Sequence, residues 1–441
     1  MRRTRGATTE NFFLEQIAIG KMLETILAKP NMTNAYKRVV SNKGRAGIDG
    51  MEVNALKSYL NSAWVFLKTE ILEGCYEPQA VKRVEIPKAN GGKRGLGIPT
   101  VIDRMIQQAI AQILETIWEA KFHDNSYGFR PKRSAHQCVA QAKTYLNEGK
   151  TYIVDIDLEK FFDRVNHDYL MYLLSKEIGD KRVLSLIGKY LRAGILENGM
   201  IKAQEEGTPQ GSPLSPILSN ILLNELDWEL RKRGLSFVRY ADDFSIYVRS
   251  RKSALRVMSN IRTYIETKLH LKINETKSGV RRPNKMTILG FSFWKNKMGY
   301  QLSVAQSSKT RFKSKLKAKT SRRYPLNTKD RIAGLQPLVR GWLQYFRIAD
   351  CKSFLKEIDE WLRSRLRLCE WKLWKRVRTR YRRLKELGMN DNQAYQWANT
   401  RKGLWRTVHS PILCRTLTNA WLQSHGYEPL VKIHKRIKVN V

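Results

Sequence analysis

Residues 239–248 read RYADDFSIYV, and two adjacent aspartates, Asp242 and Asp243, stand between runs that alternate like β-strands. In the second run Phe244, Ile246 and Val248 share one face, with Ser245 and Tyr247 on the other. At a hairpin turn the pair would bring two acceptor-only groups together. Like charges that close raise a pKa or call for a cation. The same residues also suit an ordinary polar tip, because Asp is a common turn residue. A second acidic site lies in TYIVDIDLEKFFDRV (151–165), where Tyr152, Val154, Ile156 and Leu158 alternate with Ile153, Asp155 and Asp157. As a strand this puts both aspartates on one face. Asp155 suits structural pairing within a buried strand, whereas Asp157, at the strand end, is better placed to reach a cleft. If the hairpin tip meets that strand end, Asp157, Asp242 and Asp243 form a carboxylate cluster. Oxygen-only ligands of this kind suit Mg²⁺, which takes the rest of its shell from water and substrate phosphates. Two such ions about 3.5–4 Å apart would activate a 3′-hydroxyl and stabilise departing pyrophosphate, as nucleotidyl transfer requires.

Several elements would have to position these carboxylates. RVEIPKANGGKRGLGIP (83–99) reads as a β-hairpin with an Asn-Gly-Gly turn. It would carry Lys88 and Arg94, either as grips on a triphosphate, Arg in bidentate fashion, or as two solvated charges. In TPQGSPLSP (208–216), Gln210 and the Gly211 backbone can lie close to a base pair without a side-chain clash. Ser215 is placed to cap, and Pro216 to start, a helix whose Leu218, Ile221, Leu222 and Leu226 face a core. Residues 1–80 read as mainly helical, with a polar turn over 42–50, and residues 81–300 mix strands, helices and glycine turns. From about 305 the texture changes: residues 309–323 hold eight basic residues and no acid, followed by helical segments rich in Trp, Leu and Arg.

The chain has 441 residues, with 81 Lys+Arg against 40 Asp+Glu, a formal charge of +41. A compact protein with that excess needs a polyanion, and nucleic acid is the usual one. No apolar run approaches the roughly 18 residues of a membrane span, and no lipidation motif is present. The basic N-terminus lacks an apolar signal core, and Glu10 and Glu15 argue against a transit peptide. Cys75, Cys138, Cys351, Cys369 and Cys414 form no C-x-x-C pair, so neither a disulfide framework nor a zinc site is suggested, and a reducing cytosol fits.

The Asp157 strand, EGTPQGSPLSPILSN (206–220) and YADD occur in the order found in reverse transcriptases. VEIPKANGGKRGLGIPTVIDRMIQQAI, HDNSYGFRPKRSAHQ, GFSFW and GWLQYFRIADCKSFLKEIDEWLRSRLRLCEWKLWKRVRTR narrow this. Over roughly residues 20–420 the chain resembles bacterial group II intron reverse transcriptase/maturases. The resemblance implies an α+β right-hand polymerase, fingers and palm with antiparallel sheet, followed by an α-helical thumb. In domains it implies a helical extension and the start of the fingers over 1–80, and fingers and palm over 81–304. A thumb, the maturase X domain, follows over 305–385 and a DNA-binding-like region over 386–441. It implies two Mg²⁺ on Asp157, Asp242 and Asp243, and Lys88, Arg94 and Gln210 around the incoming dNTP. Phe162 falls where the family sets an aromatic under the sugar, to exclude a 2′-hydroxyl, though core packing beside Phe161 is the rival role. Lys277 in NETKS matches a lysine proposed as proton donor to pyrophosphate, or is a surface lysine. Ser212 stands where the family usually has a second glycine.

In residues 361–385, eleven residues are basic and one is acidic. Phe354, Ile358, Trp361, Leu362, Leu366 and Cys369 trace a helical core stripe. Arg363 and Arg367 fall on another face, and with Arg376 and Arg380 they are the candidates to hold RNA phosphates, against a solvated face as the alternative. Lys37, Arg38, Lys43 and Arg45 make a second candidate RNA surface. His409, His425, His434 and Cys414 are too scattered for a zinc site, which places the resemblance with endonuclease-lacking members associated with C-type introns. The expected function is an RNA-directed DNA polymerase that binds group II intron RNA, assists its splicing and copies it into DNA by target-primed reverse transcription. Its expected partners are intron RNA, target and primer DNA and dNTPs, with no membrane and a homodimer left open. Its expected location is the bacterial cytosol, nucleoid-associated. Two rivals stand beside this reading: a related reverse transcriptase recruited to DNA repair, antiphage defence or CRISPR spacer acquisition, and a splicing-only RNA-binding maturase.

Overall fold

The computed structural model describes residues 20–87, 91–197, 200–202 and 206–439. Chain contacts divide the protein into two compact units, Met1–Arg282 and Pro283–Val441.

The described part of the first unit begins with helices, as expected for a mainly helical 1–80: Met22–Ile26, Lys29–Ser41 and Leu56–Glu73. The polar stretch between the last two is irregular, as expected for 42–50. Strands β1 (Val81–Pro87) and β2 (Lys93–Ile98) then form the predicted hairpin, in register from Lys82↔Ile98 to Pro87↔Lys93. Lys88 lies outside the described residues. Helix Val101–Trp118 starts where the Thr100 hydroxyl accepts from the Asp103 amide, and buries Met105, Ile106, Ala109, Ile110, Ile113 and Leu114 along one stripe.

The central sheet runs β6 (Ser236–Tyr240), β7 (Asp243–Val248), β3 (Tyr152–Ile156), β8 (Gly279–Arg281). All three pairings are antiparallel, with Ile156 opposite Phe244 and Tyr240 opposite Asp243. Both faces of β7 are buried, because the sheet is covered on each side. Phe244, Ile246 and Val248 join a core with Val257 and Ile261 of helix Arg251–Lys268. Tyr247 meets the ring of Tyr145, from helix Ala135–Asn147, at 5.5 Å. A second sheet has the order β2-β1-β4-β5, with β4 at Ile195–Glu197 and β5 at Met200–Lys202.

Helix Ser215–Lys232 buries Leu218, Ile221, Leu222 and Leu226 as expected, and a proline sits in its first turn. Ser215 is not its cap. That hydroxyl donates instead to the Pro209 carbonyl at 2.8 Å, while the Ser212 hydroxyl accepts the Leu214 amide at 3.2 Å.

In the second unit, β9 (Thr287–Ile288), β10 (Phe291–Asn296) and β11 (Gly299–Val304) form a three-stranded antiparallel sheet. Helices Gln306–Lys319, Thr328–Tyr345 and Lys352–Leu373 follow, and the rings of Phe312 and Trp342 stack at 4.3 Å. Helix Leu430–Val439 is anchored by the buried Asp359, which accepts from the Tyr427 hydroxyl (2.6 Å) and from the amides of Leu430 (2.9 Å) and Val431 (3.3 Å). Among the described residues no helix is long and apolar enough to cross a membrane.

Candidate active site

Strand register assembles the carboxylates. β3 and β7 pair up to Ile156↔Phe244, so the next residue of each strand, Asp157 and Asp243, meets at the open end of the sheet. Asp242 sits in the two-residue turn joining β6 to β7. Asp242 and Asp243 both feel neighbouring acids. The Asp243 carboxyl is pushed up to about 6, first by burial, then by the negative charges of Asp242, Asp157 and Asp155. Burial also raises the pKa of Asp242, with Asp157 adding to the rise, while Arg94 and Lys277 oppose it. Asp155 points elsewhere: its Oδ2 accepts from Arg281 Nε at 2.9 Å, the structural pairing that its place inside the strand suggests.

Asp157 is met by Lys277, whose Nζ lies 2.9 Å from Oδ2. Its backbone is pinned as well. The Asp157 amide donates to the Ser278 hydroxyl at 3.0 Å, and its carbonyl accepts from the Asn274 amide at 2.8 Å. The donor set therefore suits a hard divalent cation: three carboxylates, two with ionisation hindered by burial and by neighbouring acids, and one already drawing in an ammonium. Among the described residues no three acidic, imidazole or thiol side chains converge on one point tightly enough to hold an ion unaided.

Arg94 and Gln210 come together across the rim, with Arg94 Nε donating to Gln210 Oε1 at 2.7 Å. The Gly97 amide donates to the Gln210 carbonyl at 2.7 Å, tying β2 to the TPQG loop. Gly211 has φ 112°, and a Cβ there would lie 2.7 Å from the Gly97 carbonyl, so the close approach that demands glycine is to the protein's own strand. Ser212 has a physical account too: its buried hydroxyl donates to Gln107 Oε1 at 2.5 Å. Phe162 lies in a 3₁₀ turn, Phe161–Asp163, buried edge-on against Phe161 at 5.2 Å. Its carbonyl accepts from the Thr208 amide at 2.6 Å, so this turn and the TPQG loop are one assembly.

The acids rest on a support that the sequence motifs do not disclose. Arg239 and Asp227 form an ion pair at 2.6 Å with neither side chain exposed. Both charges stand among apolar residues of a strand and a helix, and that misplacement is the signal that could have revealed them.

The basic candidates separate. Lys37, Arg38, Lys43 and Arg45 are all exposed, and Arg45 borders a groove of about 760 Å³ that Ile86, Leu96 and Gly211 also line. Arg376 is exposed and Arg363 half-buried. Arg367 corrects the expectation of a free face: it is buried, with Nε donating to the Leu417 carbonyl (2.7 Å) and Nη2 to Asn419 Oδ1 (3.1 Å). Arg380 is half-buried over the Trp371 ring, its Nε donating to the Trp374 carbonyl at 2.9 Å. Those two guanidinium groups serve the fold.

Residues 86–293 match the reverse transcriptase (RNA-dependent DNA polymerase) family, and residues 309–388 match the group II intron maturase-specific domain. The chain is therefore a reverse transcriptase, an RNA-directed DNA polymerase with a maturase-specific domain. It is 34% identical over 308 residues to the Escherichia coli protein YkfC, a match covering 61% of this chain and 81% of that one. It is 30% identical over 358 residues to the group II intron-encoded protein LtrA of Lactococcus lactis, covering 65% of this chain and 57% of LtrA. A 91 kDa protein in the cob intron of Schizosaccharomyces pombe is 38% identical over 200 residues, 44% of this chain and 24% of that one. The chain belongs to the group II intron reverse transcriptase/maturase family.

Proposed function

We propose that this protein binds a group II intron RNA, assists its splicing and copies it into DNA primed at a DNA target, with Asp157, Asp242 and Asp243 as the catalytic carboxylates. The observation that carries the catalytic part is the register that sets Asp157 beside Asp243 at the open end of the central sheet. Two Mg²⁺, when bound there, would supply charge neutralisation at the triphosphate and a more acidic primer 3′-hydroxyl. The protein's own part is to hold the carboxylates close despite their repulsion and to leave room for substrate. Arg94, tethered through Gln210, would grip the triphosphate, with Lys88 as the second cation of that stretch of sequence. Lys277, already paired with Asp157, would be the proton donor to departing pyrophosphate. Phe162, fixed by its turn, would lie under the sugar and exclude a 2′-hydroxyl. In domain terms, 1–80 would be a helical extension and the start of the fingers, 81–304 the fingers and palm, 305–385 the thumb or maturase domain, and 386–441 a DNA-binding-like region. RNA would dock through the exposed Lys37, Arg38, Lys43 and Arg45 and through Arg363 and Arg376.

Primer extension on an RNA template with Mg²⁺ tests the site. Asp157→Ala, Asp242→Ala and Asp243→Ala should each abolish extension while RNA binding survives, and appreciable extension by all three would remove the assignment. In the same assay Phe162→Val should raise rNTP use relative to dNTP. An unchanged ratio of kcat/KM would return Phe162 to the core.

A further inference from the structure

The turn that carries Asp242 is two residues long, and its first residue, Ala241, has φ 59°. A non-glycine residue in that left-handed region is uncommon and persists where its surroundings over-determine it. Here the surroundings are a buried polar network. Arg239, fully enclosed at the end of β6, donates from Nε to both Asp227 oxygens (2.8 and 3.0 Å) and from Nη2 to Asp227 Oδ2 (2.6 Å). Its Nη1 donates to Asn220 Oδ1 at 2.9 Å and to the Ala241 carbonyl at 3.0 Å. Asn220 in turn donates from Nδ2 to the Gly128 carbonyl at 2.9 Å. Gly128 lies so close to the turn that a Cβ on it would stand 2.3 Å from the Ala241 nitrogen.

The loop holding Gly128 is itself stitched to β6. The Arg239 amide donates to the Asn125 carbonyl and the Tyr127 amide to the Arg239 carbonyl, each at 2.9 Å. Arg130 braces the loop from within, donating to the His123 (2.7 Å) and Ser126 (2.9 Å) carbonyls. A buried ion pair is weak evidence for stability, since well-packed apolar residues often do as well. An apolar pair could not donate to the Ala241 carbonyl and to the asparagine that ties the loop.

We propose that Arg239, held by Asp227 and Asn220, is a positioning residue that fixes the Ala241–Asp242 turn, and with it the catalytic carboxylates, for nucleotide addition. This rests on the carboxylate assignment above.

The full-length protein tests it with two substitutions. Arg239→Lys keeps the charge facing Asp227 but lacks the fork that reaches Asn220 and Ala241. Asn220→Ala leaves the ion pair intact and cuts the tie to Gly128. Single-nucleotide addition, RNA affinity, melting temperature and Mn²⁺ binding by electron paramagnetic resonance without nucleotide are measured for each. A small misplacement of reacting groups can lower rate about 100-fold, so kcat for Arg239→Lys should fall by about that factor while KM for dNTP and RNA affinity stay within about twofold. Asn220→Ala should show a smaller fall of the same kind, and both should bind Mn²⁺ more weakly. Wild-type kcat and Mn²⁺ affinity in a folded variant overturn the proposal. So does a loss of kcat matched by an equal loss of RNA affinity, which marks a role in the general fold. If Arg239→Lys does not fold, Asn220→Ala decides by the same readouts. Failure of the underlying reading shows separately, as primer extension that persists in Asp243→Ala.

Discussion

Asp243 carries the sharpest electrostatic tension among the residues of this site. Its folded pKa, about 6, stands above the ordinary 3.8 because burial and three neighbouring acids disfavour its charge. The folded state therefore holds the proton more tightly than the unfolded state. Stability falls as pH rises from about 4 through about 6, and the penalty is complete above that range. With Mg²⁺ chelated at pH 8, Asp243→Asn should melt at a higher temperature than wild type. The gain is about 1 kcal/mol, because water still screens the exposed side of the carboxylate. The difference should shrink below pH 6 and vanish near pH 4, and added Mg²⁺ should narrow it by favouring the wild-type charge. Equal melting at pH 8 would show that the acids do not strain the fold. The three proposed metal ligands are legible in sequence because acids in strand-like alternation are conspicuous. Arg239 and Asp227 leave only a fainter mark, charges set among apolar residues, and their pairing emerges only when the strand and the helix close over them.

Elements show the same division between what periodicity reports and what contacts decide. The β1–β2 hairpin and the buried stripe of helix Ser215–Lys232 follow from turn residues and apolar spacing. The start of that helix does not, because Ser215 donates to the Pro209 carbonyl in the preceding loop and Ser212 donates to Gln107, which is distant in sequence. Helix Lys352–Leu373 repeats the lesson with charge. Its spacing puts Arg367 off the apolar stripe, yet the segment around Leu417 folds back over it and takes up its guanidinium. Arg367→Gln should consequently destabilise the second unit by about 1–3 kcal/mol, the usual effect of leaving buried acceptors unpaired. Arg376→Gln, at an exposed position, should leave the melting temperature nearly unchanged. Thermal melts of the two variants side by side check this, and equal stability would mean that the Leu417 contact contributes little.

At the scale of the whole molecule the dominant fact is the excess of 41 positive charges, and the structure sorts which of them are free to meet a polyanion. Arg367 and Arg380 are committed to carbonyl groups inside the second unit, so they belong to its fold. Lys37, Arg38, Lys43 and Arg45 are exposed in the first unit, at and beyond the end of helix Lys29–Ser41. Each phosphate contact made by such a side chain releases condensed counterions, which makes RNA affinity fall steeply with salt. Replacing these four residues by Gln should flatten the slope of log K against log[salt] by about 3, at roughly 0.7–0.9 per lost contact. Arg367→Gln, where it remains folded, should leave the slope alone. The four-residue variant should also assist splicing poorly at low Mg²⁺, where the RNA has least help in folding. It should still extend a short primer, since the carboxylates are untouched and a short duplex needs few distant contacts. Filter binding across a salt series, with primer extension in parallel, separates the outcomes. An unchanged slope would make this face solvated and leave RNA to other basic surfaces, and equal loss of both activities would mean that the four residues grip any duplex.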